Sequence, residues 1–418
     1  MALSGGVDSA YLLHRCCRQR ATQPELRLRA VHVHHGLLPQ ADAWLAHCEA
    51  LCARLSVPLE IIHLDLVPRP GESVEAAARE ARYAALRRLI RPGEMLLTAH
   101  HQDDQLETVL LQLFRGAGVA GLAAMPEAAP FGRGVHLRPL LGMTRATIEL
   151  EARQAGLEWV EDPSNSCGRF DRAFLRQQIL PPLRGRWPAV ASTVSRSAKH
   201  LAEAQGLLEE LAVQDADGIR DGDRLLVAPL AALSRPRQAN LLRWWLRERG
   251  LGMPSTARLA AIQDDLLPAR GDGGPIVTWK TGELRRYRGR LYALRPLAPV
   301  VGGPWELRPG QSRRIEGIGT VSLQPVTGSG FSVGRFPGPF ELRLRHGGER
   351  LRPVGRAEVH ALKKLLQEAA VEPWLRERMP LLWSGGQLLA VGDRWLAAGA
   401  AAGPAEPGCA LQWARETT

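Results

Sequence analysis

Short apolar runs alternate with amphipathic ones over the first third of the chain. Residues 28–34, 59–64 and 95–99 are brief and rich in Val, Leu and Ile, the pattern of buried strands, whereas 42–55 and 73–90 place apolar residues at helical spacing. Strand, helix, strand in that order requires a parallel sheet with helices on both faces. Residues 1–188 are therefore expected to form an α/β domain. The pattern breaks at the Asp-Pro-Ser-Asn of 162–165, at Pro181-Pro182 and at Trp187-Pro188. Beyond it, stretches such as 198–211 and 237–249 read as amphipathic helices, so 189–300 is expected to be mainly helical. After Gly271 the runs become strand-like (276–279, 291–294), and 335–418 alternates strands with one helical pattern at 359–370, which predicts a small α+β domain. No internal repeat is present.

Composition sharpens this multidomain picture. At 418 residues the chain exceeds the roughly 250–300 at which a single core stops growing, and 45% apolar residues can fill two or three. The net charge of +11 is carried by arginine, since lysine occurs only at 199, 280, 363 and 364. Arginine forks suit phosphates, so a polyanionic partner is favoured, although an arginine-biased composition alone gives the same balance. No long uncharged apolar run or secretion signal occurs, and a cytoplasmic protein with no membrane partner is expected. The six cysteines form no Cys-x-x-Cys pair and no disulfide framework. His32, His34, His35, His47, Cys48 and Cys52 fit no common zinc spacing.

Two motifs carry chemistry. Ser4-Gly5-Gly6-Val7-Asp8-Ser9 directly precedes a helical run, which places paired glycines, hydroxyls and free N–H groups at a helix N-terminus, a cradle for an anion. It lacks the lysine of a Walker loop. An acid within an anion site makes sense if Mg²⁺ bridges Asp8 to phosphates. Gly116-Ala117-Gly118-Val119-Ala120-Gly121 matches a dinucleotide fingerprint in letters only, since it follows a helix instead of a strand. The second motif, Thr98 to Thr108, follows a strand and opens a helix; Asp104 and Glu107 share a helical face at the carboxyl end of the sheet, where they would attract a cation, either an ammonium or Mg²⁺.

The loop resembles the signature of the PP-loop ATP-pyrophosphatases, enzymes that cleave ATP between the α- and β-phosphates. Ala99-His100-x-x-Asp103-Asp104-Gln105-x-Glu107-Thr108, with Arg115-Gly116 and Gly121-Leu122, resembles the tRNA(Ile)-lysidine synthetases within that superfamily. The resemblance implies ATP on Ser4, Gly5, Gly6, Val7, Asp8 and Ser9. It implies free L-lysine near Asp103, Asp104 and Glu107, with Arg79 and Arg82 of the Ala-Arg-x-x-Arg-Tyr helix, and catalytic roles for Asp8, His100, Asp104 and Glu107. The implied reaction joins lysine to carbon 2 of the wobble cytidine of a tRNA(Ile) with a CAU anticodon, through an adenylated base, with Mg²⁺ at Asp8 and a homodimer as one possible assembly.

Arg172 and Arg176, one helical turn apart, resemble the family's Arg-rich helix after Asp-Pro-Ser-Asn, though Ala173 stands where the family usually has Asn. In the third domain Gly347-Gly348-Glu349, Lys363-Lys364 and Pro373-Trp374-x-Arg376 resemble the family's C-terminal domain, implying tRNA contacts by Arg172, Arg176, Lys363, Lys364 and Arg376. The resemblance also implies a fuller first strand than Met1-Ala2-Leu3. The rival readings are a PP-loop tRNA thiolase, which would need reactive cysteines, and an inactive tRNA-binding homologue.

Overall fold

Three residues join two halves of the first sheet. In the computed structural model, which describes residues 1–34, 36, 40–64, 74–161, 171–269 and 275–416, the Val31 N–H donates to the Met1 carbonyl (2.8 Å), the Leu3 N–H to Val31 (2.9 Å) and the Ala2 N–H to Leu97 (2.9 Å). Met1–Leu3 thus lies between β1 (Ala30–His34) and β3 (Met95–Leu97). On one side β1 pairs in parallel with β2 (Leu59–His63), Ala30 opposite Leu59; on the other β3 pairs in parallel with β5 (Gly134–Leu137), which carries the antiparallel edge strand β4 (Ala128–Phe131). The first strand is shorter than the resemblance implied, yet it lies between β1 and β3 in the sheet.

Strand alternation explains how the helices attach. Ala30 faces one cluster, with Leu12 and Leu13 of α1 (Val7–Thr22), Leu51 of α2 (Ala41–Arg54) and Ile148 of α6 (Arg145–Gln154). Val31 and Val33 join the other, with Leu86 of α3 (Val74–Leu89), Leu96 and Phe131. Full burial of each such side chain is worth about 1.5–3 kcal/mol, so the two-faced coverage expected from the pattern is also what stabilises it. After β3 comes α4 (Gln102–Phe114), then the single turn α5 (Val119–Leu122), so the glycine triplet at 116–121 follows a helix. Further on, α7 (Asp171–Phe174) runs through a π-helical turn, Leu175–Ile179, into α8 (Leu180–Arg186), and α9 is the 27-residue helix Val190–Ala216. The Asp-Pro-Ser-Asn stretch at 162–165 lies outside the described residues.

By spatial clustering the chain divides into Met1–Glu210 and Leu211–Thr418. The second unit holds two cores. Helices Arg235–Glu248 and Thr256–Ala261 pack Leu241, Leu242, Trp245 and Leu259 onto a five-stranded antiparallel sheet running from Arg220–Asp221 to Val277–Trp279. The segment expected to be mainly helical is therefore helix on sheet: its strands, such as Gly282–Tyr287 and Arg290–Leu294, are broken by Arg-rich turns that blur their alternation. The last core is built from a five-stranded and a four-stranded antiparallel sheet around Phe331, Phe340 and Leu382. The helix expected at 359–370 is Leu362–Glu368, opened by extended backbone at Ala361 and followed closely by Ala370 in the left-handed region (φ 52°). Tyr287, Tyr292, Leu294 and Trp374 form a small aromatic cluster within this unit.

Candidate active site

The glycine loop is held by its own serines. Ser9 donates its hydroxyl to the Gly6 carbonyl (3.0 Å) and accepts from the Ser4 N–H (3.2 Å); its only proton being spent, the 3.1 Å contact with Ser4 must be donated by Ser4. The hydroxyls thus brace the loop, and the first-turn N–H groups of α1, which have no intrahelical acceptor, face an incoming anion. Gly5 adopts φ +86°, and a Cβ there would lie 2.9 Å from Val160 Cγ2, so both conformation and space require glycine.

The second motif meets this loop. His101 caps α4: its N–H donates to the Asp104 carboxylate (3.1 Å), and its Nε2 lies 3.7 Å from Asp8 Oδ1 and 3.5 Å from Asp104 Oδ2. Asp8 and Asp104, 96 positions apart in sequence (104 − 8), therefore flank one imidazole. Both line a cavity of about 510 Å³, together with Ser4, His100, Arg145 and Arg176. Burial pushes the Asp8 carboxyl upward, against the pull of His101 and Arg145. Its Oδ1 is buried and accepts no hydrogen bond from any described residue, a state that costs about 1–3 kcal/mol unless something is bound there. An orphaned anionic oxygen beside a phosphate cradle fits a divalent cation. Among the described residues no group of three or more His, Cys, Asp or Glu could hold a metal.

The carboxylates of α4 have different surroundings. Arg176 forks onto Glu107, donating from Nε and Nη2 to its two oxygens, and Nη2 also reaches Asp104 Oδ1 at 3.2 Å. Burial drives the Glu107 carboxyl upward despite that arginine. Burial raises Asp104 too, but His101, its backbone N–H and Arg176 outweigh it, and Asp104 falls below the usual carboxylate range. Burial takes His100 down to about 3, so it is neutral at pH 7 and lends Asp104 no charge. Asp103 accepts from Arg184 (2.6 Å) and from the Arg145 N–H (2.7 Å), tying α4 to α8 and to the start of α6.

Of the residues expected around lysine, Asp104 and Arg82 line the cavity; Glu107, Asp103 and Arg79 do not. Arg79 and Arg82 both stack near the Tyr83 ring, at 5.1 and 5.6 Å. Among those expected to face tRNA, Arg176 is engaged by the carboxylates just described, and Arg172 is half-buried with Nη2 3.4 Å from Thr108 Oγ1. In the second unit Lys363 and Lys364 are exposed, whereas Arg376 donates to the Val371 carbonyl and the Tyr287 hydroxyl (2.7 Å each). His101, Arg145 and Arg184 were not singled out from the sequence. His101 stood next to the motif's histidine, but nothing in the spacing signalled the two arginines, which arrive from later helices.

The family models agree with this layout: one described as the PP-loop domain matches residues 1–183, a TilS substrate binding domain matches 225–292, and a TilS substrate C-terminal domain matches 340–413. A tRNA(Ile)-lysidine synthase of Methylococcus capsulatus is 44% identical over 419 residues, covering 99% of this chain and 95% of its own. The chain belongs to the tRNA(Ile)-lysidine synthase family. Relatives bearing that name in Coxiella burnetii (42% identical, 94% of this chain and 87% of the relative) and Salmonella heidelberg (41%, 99% and 95%) show the same full-length correspondence. Among solved structures, a U34-tRNA thiolase from Methanococcus maripaludis aligns with 49% of this chain and 70% of its own at a TM-score of 0.43 and 18% identity, too low for any functional inference. Within the tRNA(Ile)-lysidine synthase family frame, the loop at 4–9 and Asp104 of α4 line one cavity. No described helix is long and apolar enough to cross a membrane.

Proposed function

We propose that this chain is an ATP-dependent ligase that joins free L-lysine to carbon 2 of the wobble cytidine of a CAU-anticodon tRNA(Ile), giving lysidine and allowing that anticodon to read AUA. The observation that carries the reading is the meeting of the phosphate loop and Asp104 in one cavity, bridged by His101. ATP binds with its phosphates on the α1 N-terminus, where N–H groups and the helix dipole offset their charge. The cytidine 2-carbonyl oxygen attacks the α-phosphorus and pyrophosphate leaves. The lysine ε-amine then adds at carbon 2, and AMP departs with the oxygen. Asp8 would hold Mg²⁺, which when bound supplies charge neutralisation to the phosphates.

Lysine carries an ammonium that must lose its proton before it attacks. Asp104 offers an anion in the cavity, and the buried Glu107 beside it strengthens the local negative potential. Arg176 donates to both carboxylates, so a lysine ammonium would share Asp104 with its guanidinium. Arg172, Lys363 and Lys364 are the proposed phosphate contacts on tRNA, and Arg376 supports that surface from within. The half-buried thiols favour this reaction over sulfur transfer, since desolvation pushes Cys16 and Cys17 upward and away from the thiolate.

The test is ATP-dependent incorporation of labelled lysine into bulk bacterial tRNA by the intact chain and by Asp8→Ala. Incorporation that disappears in Asp8→Ala supports the reading. Pyrophosphate release without lysine incorporation would retain the PP-loop chemistry and remove the lysidine assignment. Tight tRNA binding with no ATP turnover would point to an inactive homologue.

A further inference from the structure

Behind His100 lies a chain of hydrogen bonds whose direction is determined from one end. Arg138 Nη2 lies 3.1 Å from His136 Nδ1, His136 Nε2 lies 2.7 Å from Thr98 Oγ1, and Thr98 Oγ1 lies 2.7 Å from His100 Nδ1. A guanidinium only donates, so His136 Nδ1 must accept and the imidazole proton must sit on Nε2. That N–H donates to Thr98 Oγ1. The threonine hydroxyl, with one proton to give, donates it to His100 Nδ1. His100 is left with its proton on Nε2.

The fold builds this relay from the sheet. Leu96 of β3 is registered with His136 of β5, so Thr98, two residues on, lies on the same face as His136. The Thr98 N–H donates to Leu137 (3.1 Å), and Arg138 is anchored by donating Nη1 to the Pro126 carbonyl (2.7 Å). Thr98 and His136 are both buried, and the rings of Tyr83 and Phe131 lie 5.9 and 5.7 Å from His136, which keeps water from competing. His100, half-buried, lines the cavity at the end of the chain.

We propose that Arg138, His136 and Thr98 are positioning residues that hold His100 in the Nε2–H tautomer, so that it meets the reacting groups as a neutral hydrogen-bond donor and never as a base. The proposal rests on the lysidine-forming reading for its catalytic meaning, but the tautomer itself does not. A neutral donor can bind oxygen charge that develops on the α-phosphate or the cytidine oxygen without repelling the incoming ammonium. Removal of the ammonium proton falls to another group, since both His100 nitrogens are committed.

The test pairs a spectrum with kinetics. In protein labelled with ¹⁵N-histidine, long-range ¹H–¹⁵N correlations report which ring nitrogen carries the proton, and His100→Gln identifies the His100 signals. The expected pattern is Nε2–H in the wild type, with a Thr98→Val variant showing a shifted or mixed pattern. Thr98→Val is expected to lower kcat for lysine incorporation by about 10–100-fold, the usual cost of losing a partner that orients a functional histidine, with KM for ATP little changed. Thr98→Ser, which keeps the hydroxyl, is expected to recover most of that loss. A wild-type His100 protonated on Nδ1 or on both nitrogens overturns the proposal, as does equal loss of activity in Thr98→Val and Thr98→Ser, which would mark a packing role. If the wild type forms no lysidine at all, the functional reading fails while the spectrum still decides the tautomer.

Discussion

Arg176 and Glu107, 69 positions apart in sequence, form a two-pronged ion pair in which the carboxylate is almost wholly buried (1% exposed). The arginine lies in a π-helical turn between α7 and α8, and the glutamate faces it from the first turns of α4. Arg176 also reaches Asp104 Oδ1 (3.2 Å), so it joins the carboxylate cluster to the helices that follow the α/β fold.

Replacing Arg176 with Ala is expected to cost about 2 kcal/mol of stability, because it strands a buried carboxylate rather than merely deleting a contact. Burial already places the Glu107 carboxyl above its unfolded value, so its ionised form opposes folding, and that opposition grows as pH rises through the folded-state value. Without Arg176 the opposition is larger. Thermal melts should therefore show a gap between variant and wild type that is wide at pH 8 and narrows on acidification; a gap independent of pH would contradict this account.

Asp8→Asn should abolish pyrophosphate release yet raise the melting temperature of the ligand-free protein. The Asp8 carboxyl is pushed upward by burial, so its charge costs stability above the folded-state value and costs nothing below the unfolded one. A gain of about 1 kcal/mol at pH 7.5, fading toward pH 4, is the expected size for removing one desolvated charge whose oxygen accepts no hydrogen bond. Differential scanning calorimetry at the two pH values measures it.

Gly5→Ala adds a Cβ that meets Val160 at 2.9 Å in a backbone conformation with φ +86°. Strain of about 1–3 kcal/mol falls on the loop itself, so KM for ATP should rise about tenfold or more while tRNA binding is unaffected. Unchanged KM would mean the phosphates do not rest on this backbone.

Lys363→Ala and Lys364→Ala should each reduce the slope of log K for tRNA against log salt by about 1 if each lysine contacts one phosphate. Filter binding between low and moderate salt reads this directly. A changed affinity with an unchanged slope would assign the effect to folding of the short helix Leu362–Glu368 instead.

Converting Cys16 and Cys17 together to Ala should leave lysine incorporation intact, since burial holds both thiols in the protonated form and neither lines the cavity. Loss of activity with normal folding would revive a sulfur-transfer reading.

Much of this was legible in local pattern. The strands at 30–34 and 59–63 and the helix at 74–89 were evident because burial on one or both faces leaves a periodic trace. The loop at 4–9 and the motif at 98–108 were evident because their chemistry needs particular residues at fixed spacing. Of the sheet between 220 and 294 only the runs at 276–279 and 291–294 were legible; its other strands were not, since they are two to six residues long and several place arginine where alternation would be read.

By itself, then, the sequence determined which segments are α/β, where an anion and a cation could bind, and the family to which those motifs point, because each of these is written in neighbouring residues. Tertiary structure alone decided that Met1–Leu3 is the central link of the sheet, that His101 stands between Asp8 and Asp104, that Arg176 and Arg184 saturate the α4 carboxylates, and that Arg138 orients His100 through two other side chains. Those relationships arise from strand register and helix packing between residues far apart in the chain, and no local spacing encodes them.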